Sequence, residues 1–322
     1  MSVTPIHVVA AVLEDAAGRI LLAQRPEASH QGGLWEFPGG KVEPGESVGE
    51  ALRRELREEI AVEVLAHRPL IRVRHAYADR TVVLDVHRVT SYAGEATGLE
   101  GQPLVWVAPD DLHHYPMPAA DRPIVTAIRL PDTYVITPPG PVDLDHFAAS
   151  LKAVLRRGTR LVQLRLPSLD RSAVERYACA ALPLCRAAGA RLLVHRDWAL
   201  AEAVGADGVH LTSAQVRSLE ERPLPAGRLV AASCHDADEI TRAEALGADF
   251  AVLSPVLPTA SHPGAAHLGW ERFASLTEGA RVPVYALGGM APGLIDTAWR
   301  HGAQGVAGIR GFWTALEPAL HR

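Results

Sequence analysis

At 322 residues the chain is longer than one ordinary domain and predicts about two. With 48% hydrophobic and 21% charged residues it has an ordinary globular composition, and no stretch is of low complexity. A formal net charge of −5 leaves no basic footprint, which excludes a nucleic-acid polymer as the partner.

Residues 8–12 and 20–23 read as short strands, with Asp-Ala-Ala-Gly at 15–18 as the turn between them. The segment GLWEFPGG, Gly33 to Gly40, then leads into GKVEPGESVGEALRRELREEIAV, Gly40 to Val62. This run reads as a loop feeding a helix. Gly39 and Gly40 allow a tight backbone path, Pro44-Gly45 turns the chain, and Ser47 with Glu50 has the capping-box spacing. Val48, Ala51, Leu52, Leu56 and Ile60 form one apolar stripe. Glu55, Glu58 and Glu59 stand at i, i+3 and i+4, which gathers their carboxylates on the other side. A solvated acidic face is one account of such a run. The other is a set of hard oxygen ligands for Mg²⁺, or Mn²⁺, bridging a diphosphate. The run spells Gly, five residues, Glu, seven residues, then Arg-Glu-apolar-x-Glu-Glu-x-Gly-apolar, with Ala61 in place of the glycine; that agreement favours the second account.

This pattern is that of the Nudix hydrolases, and the chain from about Ile6 to Leu130 resembles their MutT branch, the 8-oxo-dGTP diphosphatases. The resemblance implies an α/β/α sandwich and a Mg²⁺-dependent release of pyrophosphate and a nucleoside monophosphate from a small-molecule nucleotide, in nucleotide-pool sanitation and hence DNA repair. It implies Gly39, Glu55, Glu58, Glu59 and Glu100 as metal positions, with Glu55 also taking the proton of the attacking water. Arg54 would orient the glutamates by charge-assisted hydrogen bonds, completing a catalytic group of Arg54, Glu55 and Glu58. Arg25, Phe37, Asp79, Arg80 and Asp121 are the substrate-binding positions so implied, and Leu104-Val-Trp106 matches a family strand. Asp121, in MPAADRP from Met117, stands where the family has an asparagine that hydrogen-bonds the oxidised guanine. An ionised aspartate only accepts, so it would imitate the amide only if a dry pocket kept it protonated. A helix N-cap before Pro123 is the other role open to it.

A boundary is expected at Leu130-Pro131-Asp132, giving domains at 1–130 and 133–322. Beyond it, β-like runs at 134–137, 161–166, 191–195, 208–211, 229–233, 250–254, 282–287 and 305–309 alternate with helical stretches such as 147–156 and 174–188, the latter kinked at Pro183. Eight such repeats predict a (β/α)₈ barrel, a TIM barrel, with ligand groups at the strand C-termini. Cys179, Cys185 and Cys234 lack C-x-x-C spacing and read as reduced, buried thiols. No apolar run is of membrane-spanning length and the N-terminus lacks a basic start followed by an apolar core, so no membrane and a cytoplasmic site are expected. His113, His114 and the other scattered histidines show no metal-ligand spacing and read mostly as surface residues.

From Tyr134 to about Leu316 the motifs VQLR (162–165), GADGVHL (205–211), SPVLPT (254–259) and ALGGM (286–290) resemble thiamine phosphate synthase and its TenI relative. The resemblance implies a barrel site for a phosphorylated heterocycle, comprising Gln163, Arg165, His195, His235, Gly288 and Gly289. His195-Arg196 and Thr212–Gln215 stand where the synthase has its metal-binding aspartates, and Pro167, His262 and Arg310 replace further ligand residues. Loss of those carboxylates predicts no Mg²⁺-dependent synthase chemistry. His235 reads either as a proton carrier or as a ligand-orienting histidine, and Arg165 either as a ligand contact or as an ion pair at the barrel mouth. The barrel is thus expected to bind or act weakly on its ligand; a bifunctional thiamine-pathway enzyme and a hydrolase controlled by a noncatalytic barrel are the alternatives.

Overall fold

A computed structural model describes residues 5–28, 31–78, 80–140, 143–259 and 266–313. The chain divides into two compact units that meet in sequence between Arg129 and Leu130.

The first unit runs β1 (Ile6–Leu13), β2 (Ile20–Gln24), β3 (Trp35–Glu36), α1 (Val48–Ile60), β4 (Glu63–Ala76), β5 (Thr81–Ala93), β6 (Leu104–Val107) and α2 (Arg122–Arg129). One sheet has the order β1-β5-β4, with β1 and β5 parallel; the other has the order β3-β2-β6. β1 is apolar on both faces because each face meets a different core. Val9, Ala11 and Leu13 pack with Ala51, Leu52, Leu56 and Ile60 of α1. Ala10 and Val12 pack with Ile124, Ala127 and Ile128 of α2. That is the α/β/α layering, and strand alternation produces it directly.

The second unit runs β7 (Thr133–Ile136), α3 (Leu144–Arg156), β8 (Leu161–Leu164), α4 (Arg171–Ala187), β9 (Arg191–His195), α5 (Trp198–Val204), β10 (Gly208–Leu211), α6 (Ser213–Ser218), β11 (Leu229–Cys234), α7 (Ala237–Ala245), β12 (Phe250–Leu253), α8 (Gly269–Thr277), β13 (Val284–Leu287), α9 (Ile295–Arg300), β14 (Gly305–Gly308) and α10 (Arg310–Trp313). The eight strands close into one barrel in sequence order. Tyr134, Phe250 and Tyr285 fill its interior edge to face, with Phe250 5.3 Å from each tyrosine ring.

Two expectations are corrected and a third has exceptions. Cys179 is exposed, because it lies on the outer side of α4 while Ala178, Ala181, Leu182 and Cys185 take the inner side. The same helix begins at Arg171, earlier than its apolar pattern suggests, because Asp170 caps it and accepts the Ala173 N–H. Two histidines are buried rather than superficial: His87 faces His67 with Nδ1 atoms 2.9 Å apart, and His210 lies inside the barrel. Among the described residues no helix is long and apolar enough to cross a membrane.

Candidate functional site

In the first unit the site begins with the start of α1. Ser47 Oγ accepts the Glu50 N–H at 3.3 Å, and the Glu50 carboxylate accepts the Ser47 N–H at 2.8 Å. With the stripe Ala51, Leu52, Leu56 and Ile60 buried, Arg54, Glu55, Glu58 and Glu59 are left on the other side. The loop before the helix lies against β1 like a further strand: Pro38 and Gly40 carbonyls accept the N–H groups of Ala11 and Val9, each at 2.8 Å. Two glycines make that possible. A Cβ on Gly39 would sit 2.2 Å from the Val9 carbonyl, and one on Gly40 would sit 2.3 Å from the Glu55 carboxylate.

Arg54 ties the acidic groups together. It donates to both Glu46 oxygens at 2.9 and 2.8 Å, to Glu55 at 2.9 Å, to Glu58 at 3.4 Å and to the Lys41 carbonyl at 3.0 Å. Glu59 turns inward and accepts the Gly39 N–H at 3.2 Å. Burial first, then the neighbouring Glu55, Glu36 and Glu100 carboxylates, push Glu59 up to about 7. Glu100 is exposed on a loop that closes the C-terminal end of α1. There the Leu99 N–H and the Gln102 amide each donate to the Glu59 carbonyl at 2.9 Å, and the Thr97 N–H donates to the Ile60 carbonyl at 3.0 Å. Among the described residues no three His, Cys, Asp or Glu side chains converge in a metal-holding group; as placed, Glu55 and Glu58 turn to Arg54 and Glu59 to Gly39. The donors themselves are hard carboxylate oxygens crowded around a buried acid, which is chemistry that suits Mg²⁺.

A second group lies at Asp121, which is 6% exposed. Its backbone carbonyl accepts the Ile124 N–H at the start of α2, so it occupies the helix-entry position. Burial, then the charge of Glu36, push its carboxyl up to about 7 against the opposing pull of Arg25 and of the Phe37 backbone N–H. Arg25 is paired directly with Glu36. Phe37 is buried in the core beside partly buried Trp35, Tyr77, Tyr115 and Met117. Arg80 sits in the turn after β4, where its carbonyl accepts the Tyr77 N–H at 2.8 Å. Asp79 lies outside the described residues.

The barrel mouth holds a cavity of about 760 Å³ bounded by Gln163, Arg165, His195, His210, Ser233, His235 and Gly288, among others. A smaller cavity of about 270 Å³ is lined by Gly288, Gly289 and Arg310. Gln163 donates from Nε2 to Nδ1 of His195 at 3.0 Å. Burial, then Arg165 and Arg196, push His195 down to about 4, which keeps its ring neutral. His210 is bracketed by the Tyr134 hydroxyl, 3.0 Å from Nδ1, and by Ser233 Oγ, 2.8 Å from Nε2. His235 donates its backbone N–H to Glu239 at 2.8 Å and holds Nδ1 2.9 Å from the same oxygen; Arg217 pairs with the other oxygen. The loop at Thr212–Gln215 is a capping box opening α6, and the Gln215 amide donates to the carbonyl of Arg196, whose φ is 57°. His262 lies outside the described residues.

Sequence reading passed over Glu36, Tyr77, Tyr134, His210 and Ser233. Glu36 and His210 carried a signal: each is a polar residue within an otherwise apolar strand, Trp-Glu-Phe and Gly-Val-His-Leu. Tyr77 and Ser233 carried none, because only chain folding brings them to their partners.

The sequence matches the family described as NUDIX domain over residues 8–127 and the family described as thiamine monophosphate synthase over residues 133–312. The CTP pyrophosphohydrolase of Escherichia coli (strain K12) is 44% identical over 122 residues, covering 38% of this chain and 90% of that protein. The 8-oxo-dGTP diphosphatase of Proteus vulgaris is 43% identical over 96 residues, covering 30% of this chain and 86% of that protein. The putative thiamine-phosphate synthase 2 of Aquifex aeolicus (strain VF5) is 34% identical over 185 residues, covering 58% of this chain and 99% of that protein.

Proposed function

The chain belongs to the NUDIX domain family and, beyond it, to the thiamine monophosphate synthase family; on that premise we propose that it hydrolyses a nucleoside triphosphate to a monophosphate and pyrophosphate, with 8-oxo-dGTP as the preferred substrate. Hydrolysis belongs to the domain at 1–130, and the domain at 133–322 binds a phosphorylated heterocycle without synthase turnover. The sparse free thiols suit a cytoplasmic setting.

Glu55, Glu58, Glu59, Glu100 and Gly39 are the residues that would hold Mg²⁺, or Mn²⁺. Bound there, the cation neutralises diphosphate oxygens and acidifies water. Arg54 keeps Glu55 and Glu58 in register through its hydrogen bonds. Glu55 takes the proton from the attacking water, and Arg25 faces the phosphates once substrate draws it from Glu36.

The observation that supports 8-oxo-dGTP is the burial of Asp121 against the Phe37 N–H. A neutral carboxylic acid offers an O–H donor beside a carbonyl acceptor. 8-Oxoguanine presents O6 beside an N7–H, which is the complementary pair, whereas unmodified guanine presents two acceptors there. Cytosine presents an N4 donor beside the acceptor N3, so a CTP-type substrate is the second reading, favoured by the 44% identical relative. The test is kcat/KM, with Mg²⁺, for 8-oxo-dGTP, dGTP, CTP, hydroxymethylpyrimidine diphosphate and thiamine diphosphate. A preference of at least about 10²-fold for 8-oxo-dGTP over dGTP is expected. Preference for CTP replaces the substrate but keeps the reaction. Preference for a thiamine-related diphosphate makes the chain a bifunctional thiamine-pathway enzyme instead.

A further inference from the structure

His67 and His87 stand twenty residues apart in sequence, and nothing in that spacing pairs them. The register of β4 and β5 does. Pro69 lies opposite His87 and His67 opposite Val89, with shifts in the ladder between Ala66 and His67 and between Pro69 and Ile71. Irregularities of that kind re-aim side chains. The two Nδ1 atoms come to 2.9 Å, with ring centroids 4.9 Å apart and ring planes at 65°. His87 is buried and His67 half-buried. On its other side the His67 ring lies against the first turn of α1, since a Cβ on Gly49 would sit 3.2 Å from its Nε2. The Gly49 carbonyl accepts from Arg53 at 3.1 Å. Asp85, two residues before His87 on the same face of β5, is engaged by His7 and by Arg72, the latter at 2.7 Å.

A contact of 2.9 Å between two imidazole nitrogens requires one to carry the shared proton and the other a lone pair. Burial lowers the pKa of both rings, that of His87 to about 4, so both are neutral at pH 7. Neutral imidazole is the form that ligates Zn²⁺, and moving the shared proton to Nε2 of the donor ring leaves a lone pair on each Nδ1. Two nitrogens on a tetrahedral Zn²⁺ lie about 3.3 Å apart. From 2.9 Å the pair opens by about 0.4 Å and each ring turns by about 35°, which the broad χ2 of histidine permits. We propose that His67 and His87 form a chelating site for a divalent ion of the Zn²⁺ class, separate from the carboxylates of α1, in which the ion ties β4 to β5 beside the first turn of that helix. Among the described residues no third His, Cys, Asp or Glu completes a metal-holding group, so water supplies the remaining ligands from the half-buried His67 side. Asp85 favours a dication there, and the Arg53 and Arg72 guanidiniums oppose it. Imidazole suits Zn²⁺ rather than Mg²⁺, which prefers oxygen, so Mg²⁺ stays with the carboxylates.

The experiment uses the full chain with excess Mg²⁺, to occupy the carboxylates, and one equivalent of Zn²⁺. Crystals of that complex are read by anomalous scattering at the zinc edge. Affinity is read by competition with a chromophoric chelator for the wild type, His67→Gln and His113→Gln, the last taken from the exposed pair His113 and His114 as a control. One anomalous peak is expected, about 2.1 Å from both Nδ1 atoms. His67→Gln should weaken Zn²⁺ binding at least tenfold, roughly the least that losing a ligand costs, and His113→Gln should leave it unchanged. Zn²⁺ should also raise the melting transition of the wild type by a few degrees and that of His67→Gln not at all. A peak on the α1 glutamates or on other histidines, or no peak, overturns the inference. So does a His67→Gln affinity equal to that of the wild type. Should His67→Gln fail to fold, the anomalous map of the wild type decides alone.

Discussion

The two sites differ in the sign of their chemistry. Around α1 the polar groups are carboxylates, Glu46, Glu55, Glu58 and Glu59, gathered on one guanidinium and one backbone N–H. At the barrel mouth the titratable groups are imidazoles and a guanidinium, and none of the described residues lining the cavity is acidic. A carboxylate site has to recruit a cation before it can approach a phosphate chain. The barrel site has Arg165 and the backbone of Gly288 and Gly289 to meet an anion directly, with His195 and His210 neutral beside them. Family resemblance alone would give both sites a divalent cation; on the function proposed here only the carboxylate site depends on it.

Chelation should therefore separate them, and this is the largest effect expected. EDTA should abolish pyrophosphate release while leaving the affinity of the barrel for a thiazole phosphate within about twofold, as read by calorimetry on the full chain. Glu58→Gln should reproduce the first half of that result, lowering kcat by about 10³-fold with an unchanged circular dichroism spectrum. A barrel that loses its ligand with EDTA would erase the contrast, and a Glu58→Gln enzyme at full rate would remove the metal assignment.

Arg54→Lys probes the scaffold that holds the acids. Lysine keeps the charge but not the fork that reaches Glu46, Glu55 and Glu58 together. We expect kcat to fall about 10- to 100-fold, the usual cost of losing a group that orients ligands, with KM little changed. A rise in KM alone would mean that Arg54 touches substrate.

Asp121→Asn sharpens the comparison through stability rather than rate. The folded carboxyl is raised to about 7 from its ordinary 3.8, so the folded state binds that proton more tightly than the unfolded chain does. The resulting stabilisation is fully present below about pH 4 and is lost as pH rises through about 7. Asparagine has no such dependence. The stability of Asp121→Asn should therefore gain on the wild type between pH 4 and 7, by up to about 4 kcal/mol, and hold a constant offset outside that window. A constant offset throughout would mean that Asp121 is ionised in the folded protein.

The sheet-and-helix plan was legible because short-range signals carry it. The capping box at Ser47 and Glu50, the stripe from Ala51 to Ile60, and the eightfold alternation beyond Leu130 are each written within a few residues. The grouping of Arg54 with Glu55 and Glu58 was legible because that motif is continuous. Grouping was not legible where partners are far apart in sequence: His210 meets Tyr134 and Ser233 from three separate strands. Charge states were harder still. Asp121 has the letter of a surface residue, and only its burial lifts its carboxyl above the ordinary carboxylate range.

The smallest effect expected comes from Ala61, the residue that departs from the Nudix pattern. It caps α1 with φ 58° and ψ 27°, the left-handed conformation, and donates its N–H to the Leu56 carbonyl. An L-residue pays about 1–2 kcal/mol to sit there, while glycine gives back a few tenths to 1 kcal/mol through the freedom of its unfolded chain. Ala61 is exposed, so no packing is lost on its removal. Ala61→Gly should then stabilise the first unit by about 1 kcal/mol, a rise of a few degrees in its melting transition, with kcat unchanged. A stabilised variant with altered kcat would be more informative. The Ile60 and Glu59 carbonyls are held by Thr97, Leu99 and Gln102, so a relaxed helix end would have moved the loop that carries Glu100. Rate would then report on how firmly the helix end sets Glu100 relative to Glu59, the one acid of this site that comes from outside α1 and the loop that enters it.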